Sequence, residues 1–332
     1  MRPANLYLTF ICLAALIDLS AQDVAKDSLF IRSFGTGDYR SSLFNYAVTE
    51  DQNGILYFAN ESGVLEYDGT RWRQHPIEDY SHIVTIETSP DGKIYVGGRN
   101  EFGYMERDST GLLKYTSLRH LVDPDLEIEE VWQIEFHKGQ IYFQSYQGLF
   151  RFDGELCHNT KIKDGWIYHL DDEVYVSVVD KGLGKLVGDS LVYLNTELAF
   201  EKDNPQVSFP YKGREKILVT EFNGLFLVDT LSMATRKWDV PANEILIEKD
   251  VWTAVEWNDS TMVFSLVGGG VVWVSDKGEV LKSIDSKAEF GSRETHALFR
   301  DAMGNLWVPG AGIHHLVWPE VNYKANSTGV LI

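Results

Sequence analysis

Short alternating apolar runs, separated by turns rich in glycine, asparagine and aspartate, fill the chain from residue 46 to residue 318, and their order repeats. The first copy, 46–69, holds an alternating run, an Asn53-Gly54 turn, a second run, a loop ending at Gly63 and a third run closed by Asp68-Gly69. The same order returns at 83–106, 131–154, 166–188, 207–229, 252–276 and 296–318. The glycine that opens the third run stands at 63, 103, 148, 182, 224, 270 and 312, a spacing of about 41 residues. Period-two alternation marks strands with two distinct faces. Asn-Gly and Asp-Gly pairs accept the positive φ that tight hairpins demand. Seven copies at this period predict an all-β fold, a seven-bladed β-propeller with four antiparallel strands per blade, because each small sheet must bury both faces against its neighbours. In the fourth copy Gly182 and Gly184 compete for the same role.

Two stretches interrupt the repeat. Leu118–Glu130 is an acidic insertion expected to hold one short helix, and the segment 195–205 is a second long connection. Within a copy the outer strand reads as an aromatic and polar run, as in Trp72–Ile77. The run Leu29–Phe34 precedes the first copy with nothing to pair with, and the last copy lacks an outer strand. Residues 29–34 are therefore expected to close the ring by completing the last blade, which removes two open sheet edges at once.

At the N-terminus, Arg2, the apolar stretch Leu6–Ile17 and Leu19-Ser20-Ala21 have the order of a secretory signal, expected to span 1–21. Asp18 interrupts the apolar stretch, which is short for a bilayer span. The remainder divides into one propeller, 22–321, and a tail, 322–332. The mature chain is expected to be periplasmic or secreted, with no membrane span. Its charge narrows the partners further. Thirty Lys and Arg face 49 Asp and Glu, a net charge of −19, which speaks against nucleic acid or an anionic membrane surface as partner. Two cysteines, Cys12 and Cys157, with Cys12 inside the signal, exclude a disulfide framework and a cysteine-ligated zinc site.

Particular residues then point to a family. Phe30–Phe34, Asp38-Tyr39, Gly63–Gly69 and Trp72 resemble the opening of Bacteroidota two-component regulator propellers, the ligand-binding sensor domains of hybrid two-component and triple-tyrosine-type regulators. Asp301–Trp307 followed by Gly312-Ile313 is similar to that family's repeat of Asp, Gly-Asn-Leu-Trp and Gly-Ile/Leu. The likeness runs over residues 29–321, is strong at both ends and degenerates in copies four to six. A blade-ending Trp-Asp occurs once, at Trp238-Asp239, so the repeat does not resemble WD40. The resemblance implies a periplasmic sensor working with a membrane-linked histidine kinase or DNA-binding output. With one ring before Ile332, the chain reads as a stand-alone sensor or as a regulator truncated within 322–332, its second propeller or kinase module lying elsewhere.

In a propeller the starts of the inner strands and the loops between second and third strands open on one face, around a central mouth. By that analogy the expected ligand-binding residues are Arg99, Glu101, Trp132, Tyr146, Glu221 and Trp252, with Tyr46, Asn60, Glu61, His82, Trp166, Lys181, Asn223 and His296 around them. Aromatic faces interleaved with polar groups suit a small-molecule or oligosaccharide ligand, whose rings offer apolar faces and many hydroxyls. The plainer roles are wedge filling for the tryptophans and simple solvation for the loop charges. Glu61, Glu101 and Glu221 offer carboxylates for acid–base work, but no catalytic motif accompanies them, and the expectation is a non-catalytic module with no cofactor. The alternatives are a propeller enzyme of glycosidase or lyase type and a protein-interaction scaffold. His314 and His315 are adjacent on a strand and so face opposite sides, which prevents them from sharing a metal ion. His137 and His169 lack partners at ligand spacing, and Cys157 reads as a buried or edge thiol.

Overall fold

The computed structural model describes residues 29–77, 82–162, 165–178, 181–188, 190–194, 203 and 205–317. The expected signal 1–21, the tail 322–332 and most of the connection 195–205 lie outside the described residues. Seven four-stranded antiparallel sheets follow one another in chain order. Their first strands are Asn45–Glu50, Ile83–Thr88, Val131–His137, Gly165–Leu170, Pro205–Pro210, Val251–Asn258 and Phe299–Arg300, and they gather around the axis of a seven-bladed β-propeller.

Six blades are built from consecutive strands. The seventh is not: Phe30–Phe34 pairs antiparallel with Gly312–Val317, in register from Phe30 opposite Val317 to Phe34 opposite Ile313. The chain start thus supplies the outer strand of the last blade, and the ring closes by hydrogen bonds rather than by covalent continuity. Phe34 is buried at this junction. Its ring lies 5.2 Å from Trp72 and 5.5 Å from Tyr67 of blade 1, and 6.1 Å from Trp307 of blade 7.

The core is divided into seven clusters, one in each wedge between neighbouring blades. Middle strands such as Leu56–Asn60, Gly63–Tyr67 and Val271–Ser275 are buried at every position, because both faces of a blade meet another blade. Outer strands such as Trp72–His75 are partly or fully exposed and carry polar residues.

Six of the seven expected glycines occupy equivalent places, facing the last residue of the second strand across the turn: Gly63, Gly148, Gly182, Gly224, Gly270 and Gly312. In the fourth blade it is Gly182, opposite Val178, that does so. Gly103 departs from the set. Glu101 stands opposite Gly98, and Gly103 pairs further along with Val96. The left-handed residue in that turn is Asn100, at φ 58°. Gly103 is instead excluded from bearing a side chain because the Thr116 carbonyl and the Tyr115 ring crowd it.

The insertion after blade 2 contains a single 3-10 turn, Arg119–Leu121. It is held as a loop by Arg119, whose guanidinium donates to the carbonyls of Asp123 (3.0 Å) and Leu126 (2.7 Å). Leu118, Val122 and Ile128 anchor it in the wedge between blades 2 and 3. Short helices at Thr36–Tyr39, Ala242–Lys249 and Ser286–Phe290 occupy connections between blades. Among the described residues no helix is long and apolar enough to cross a membrane.

Candidate functional site

Five of the inner strands carry a register shift at the same place, immediately after their first residue. The extra residues are Tyr46, Val84, Trp132, Gln206 and Trp252. A bulge re-aims the side chain of the inserted residue and strengthens the local twist. Here all five line one cavity of about 530 Å³ at the mouth of the central channel. Trp166 joins them from blade 4 and His296 from the approach to blade 7, while Tyr146 and Glu221 reach it from loops between second and third strands. Thr85, Gln133 and Thr253 add polar groups, and Glu87 lines the channel deeper along its strand.

The rings are mutually supported. Tyr46 stacks flat on His296, at 5.0 Å and 3°, and tilts against His82 at 4.7 Å. Trp252 lies 5.9 Å from His296, and Trp132 meets Tyr146 edge-on at 5.4 Å. Tyr146 and Trp252 each expose 38% of their surface, high for aromatics in a blade whose other rings fill wedges. His296 Nδ1 donates to the Asn45 carbonyl (3.1 Å), and Nε2 faces Glu294 Oε2 at 3.2 Å. Asn45 in turn donates to the Gly312 carbonyl at 3.3 Å. The mouth is therefore stitched across the same junction that closes the ring.

Charge at the mouth is uniformly acidic in its effect on Tyr46. Burial, then Glu61, Glu130 and Glu294, push its phenol up to about 12. Glu87 is exposed on the channel wall, where protein surrounds the bore. That surrounding, with the charge of Glu135 added, raises its carboxyl to about 8. Glu135 is itself bonded to His169 Nε2 at 2.7 Å, which raises the imidazole despite its burial.

Of the sequence-derived candidates, Trp132, Tyr146, Glu221 and Trp252, with Tyr46, Trp166 and His296, come together in the lining. The others do not. Glu101 opens the third strand of its blade, where its carboxylate accepts from Tyr115 Oη and Ser117 Oγ, both at 2.7 Å, and from the Phe102 amide. Arg99 is exposed beside the lining, its backbone bridged to Glu130. Asn60 is buried and ties down the first loop through the carbonyls of Ser42 and Phe44 and the side chain of Asn45. Asn223 is held by Asp203, which accepts from its amide and its side chain at 2.7 and 2.8 Å. His82 stands behind Tyr46, while Glu61 and Lys181 are exposed at loop tips. Glu87, Gln133 and Gln206 line the channel and were not singled out from the sequence. The signal that could have found Gln206 is its place, second in the inner strand, the same as Tyr46, Trp132 and Trp252.

His314 and His315 face opposite sides of their strand, the first stacked on Phe290 at 4.2 Å and the second on Trp307 at 4.0 Å. Among the described residues no group of three or more His, Cys, Asp or Glu side chains could hold a metal ion. Cys157 sits on an outer strand, its thiol pushed up to about 12 by burial and then by Asp153, and so is a poor nucleophile.

No protein-family model matches the chain, and no curated protein matches it. Solved structures do. A streptogramin B lyase aligns with a TM-score of 0.67 and 12% identity, over 89% of this chain and 99% of that one. The extracellular domain of a putative one-component system from B. thetaiotaomicron aligns at 0.65 and 13% identity, over 87% of this chain and 40% of that one. The WD40 propeller domain of Doa1 aligns at 0.61 and 12% identity, over 84% of this chain and 95% of that one. A lyase, a regulator's extracellular domain and a WD40 domain thus share one architecture, and what this chain has in common with them is the β-propeller fold.

Proposed function

We propose that the protein is a periplasmic or secreted ligand-binding module of sensor type, non-catalytic, which takes a carbohydrate-like ligand at the channel mouth and passes the signal to a partner module such as a kinase. The observation that carries this reading is the set of aromatic residues at the second place of the inner strands. Four blades turn an indole or phenol, Tyr46, Trp132, Trp166 and Trp252, toward one cavity instead of into the wedges. Ring-shaped ligands with apolar faces and peripheral hydroxyls match such walls, with Thr and Gln side chains between them as hydrogen-bonding partners. The extracellular domain of the regulator has the same fold and supports the extracytoplasmic setting.

The test is titration of candidate glycans followed by tryptophan fluorescence and calorimetry, with Trp132→Ala and Trp252→Ala alongside. Each truncation should weaken binding by roughly 1–3 kcal/mol, the range of an aromatic anchor. Melting curves of the free variants separate loss of contact from loss of fold. A propeller lyase is the competing reading, prompted by the lyase alignment. Turnover of a bound ligand would establish it, and co-purification of a protein partner with no small-molecule binding would establish a scaffold.

A further inference from the structure

The insertion between blades 2 and 3 runs directly into the inner strand that carries Trp132, and its second-last residue is a backbone outlier. Glu129 has φ 61°, a left-handed conformation in which a Cβ crowds the following carbonyl oxygen and which glycine adopts freely. Asn100 of blade 2, at φ 58°, shares the conformation and holds its partner in place. Its amide donates to the Glu129 carbonyl at 2.6 Å, and its Oδ1 accepts from the Ile128 amide at 2.9 Å. Ile128 is fully buried in the wedge between blades 2 and 3, and Arg99 bridges to Glu130 beside it. Strain of this kind persists only where the surroundings over-determine it. A glycine at 129 would keep the same backbone bonds without the strain, so the side chain there has a use of its own.

That side chain is half-buried and reaches blade 3. Its Oε1 accepts from Gln147 Nε2 at 2.8 Å. Gln147 lies in the loop between the second and third strands of the blade, next to Tyr146. Ser145 Oγ closes this turn at its base, accepting from the amides of Gln147 and Gly148 at 3.1 and 3.2 Å. The Glu129 bond ties the closed turn to the start of the inner strand. Tyr146 and Trp132, which meet edge-on at 5.4 Å, both line the cavity. One carboxylate thus joins the strand that carries one ring to the loop that carries the other.

We propose that Glu129 is a positioning residue for the mouth: its left-handed backbone and its bond to Gln147 together set Tyr146 against Trp132 before any ligand arrives. A corner fixed in advance spares a ligand the ordering of the side chains it meets. The effect on affinity rests on the binding reading above; the arrangement of the two rings does not.

The experiment compares the intact chain with Glu129→Gly, Glu129→Gln and Gln147→Ala. Glycine keeps the backbone and removes the acceptor, whereas glutamine keeps an oxygen for Gln147. In Glu129→Gly, relief of strain and the greater freedom of the unfolded chain oppose each other, so its Tm should stay within about 3 °C of the parent. Near-UV circular dichroism should change in Glu129→Gly and Gln147→Ala, stay parent-like in Glu129→Gln, and show no further change when Tyr146→Leu is already present. Exchange of amides 146–148 should rise at least about threefold in the same two variants, as expected when a net-stabilising hydrogen bond is lost. Cellobiose, maltose and N,N′-diacetylchitobiose are then titrated by tryptophan fluorescence. The affinity of whichever binds the parent should fall about three- to tenfold in those two variants and stay within about twofold in Glu129→Gln. Parent-like spectra and exchange in Glu129→Gly, an equal defect in Glu129→Gln, or a larger fall in the Tm of Glu129→Gly would overturn the positioning role. If none of the three disaccharides binds the parent, the carbohydrate reading fails, while the spectra and the exchange still decide the role of Glu129.

Discussion

Replacing Phe34 by alanine attacks the one junction of the ring that the chain does not close covalently. Phe34 is 4% exposed and is the contact point of two blades. It touches Tyr67 and Trp72 on one side and Trp307 on the other, and the Arg32 guanidinium lies 4.6 Å over its ring. Withdrawing a buried phenyl ring from its apolar site forfeits about 2–3 kcal/mol of transfer free energy. The hole left between rigid aromatic neighbours adds to this, for a total of about 3–5 kcal/mol. Urea unfolding of Phe34→Ala at pH 7 measures the loss. Hydrogen exchange locates it, with protection falling first along Phe30–Phe34 and Gly312–Val317, the paired strands of the closure. Because Asn45 and His296 stitch the mouth across the same junction, tryptophan emission from the mouth should shift at denaturant concentrations below the global midpoint. A variant within about 0.5 kcal/mol of the parent, the scatter expected of surface substitutions, would falsify the view that this strand holds the ring shut.

Four further outcomes are expected. Burial alone would raise the carboxyl of Glu66, but bonds to His75 and the charge of Arg107 and Arg73 outweigh it and hold it at about 2, so its stabilisation is complete above pH 4.5 and is lost as pH falls toward 2. Glu66→Gln should cost about 2 kcal/mol at pH 7, a figure lowered for its partly exposed arginine partners, and less than half of that at pH 3. Burial holds His314 at about 4 against an ordinary 6.5, so the unfolded chain binds the extra proton between those values. The closure should lose about 2 kcal/mol from pH 7 to pH 5 in urea unfolding, and His314→Gln should lack that part of the slope. Trp252→Ala should change stability by under about 1 kcal/mol, because the ring is 38% exposed, whereas Trp307→Ala, at 2% exposure, should cost about 3–5 kcal/mol in the same assay. Glu101→Ala should cost about 1–2 kcal/mol by breaking its bonds to Tyr115 and Ser117, while affinity at the mouth stays within twofold in a fluorescence titration.

The number of blades and the closure of the ring were legible in the sequence because they depend on local and repeating signals. Asn53-Gly54 and Asp91-Gly92 set hairpins through their own backbone preferences, and the unpaired run Leu29–Phe34 had one blade without an outer strand to join. The place of Trp132 and Trp252 in the lining was legible in type, since an aromatic stands second in the inner strand of four blades, at Tyr46, Trp132, Trp166 and Trp252. What turns those rings into the channel is a one-residue shift of register against the neighbouring strand. Pairing decides that shift, and composition does not record it. The same limit explains Glu101 and Gly103. Their spacing fits the repeat, but their surroundings come from Tyr115, Thr116 and Ser117 on an outer strand that folds back over them. Glu87 shows it most clearly. In the sequence it is one of 49 acidic residues. Only the ring brings Glu135 of the next blade beside it and surrounds it with protein, and those two circumstances together set its chemistry.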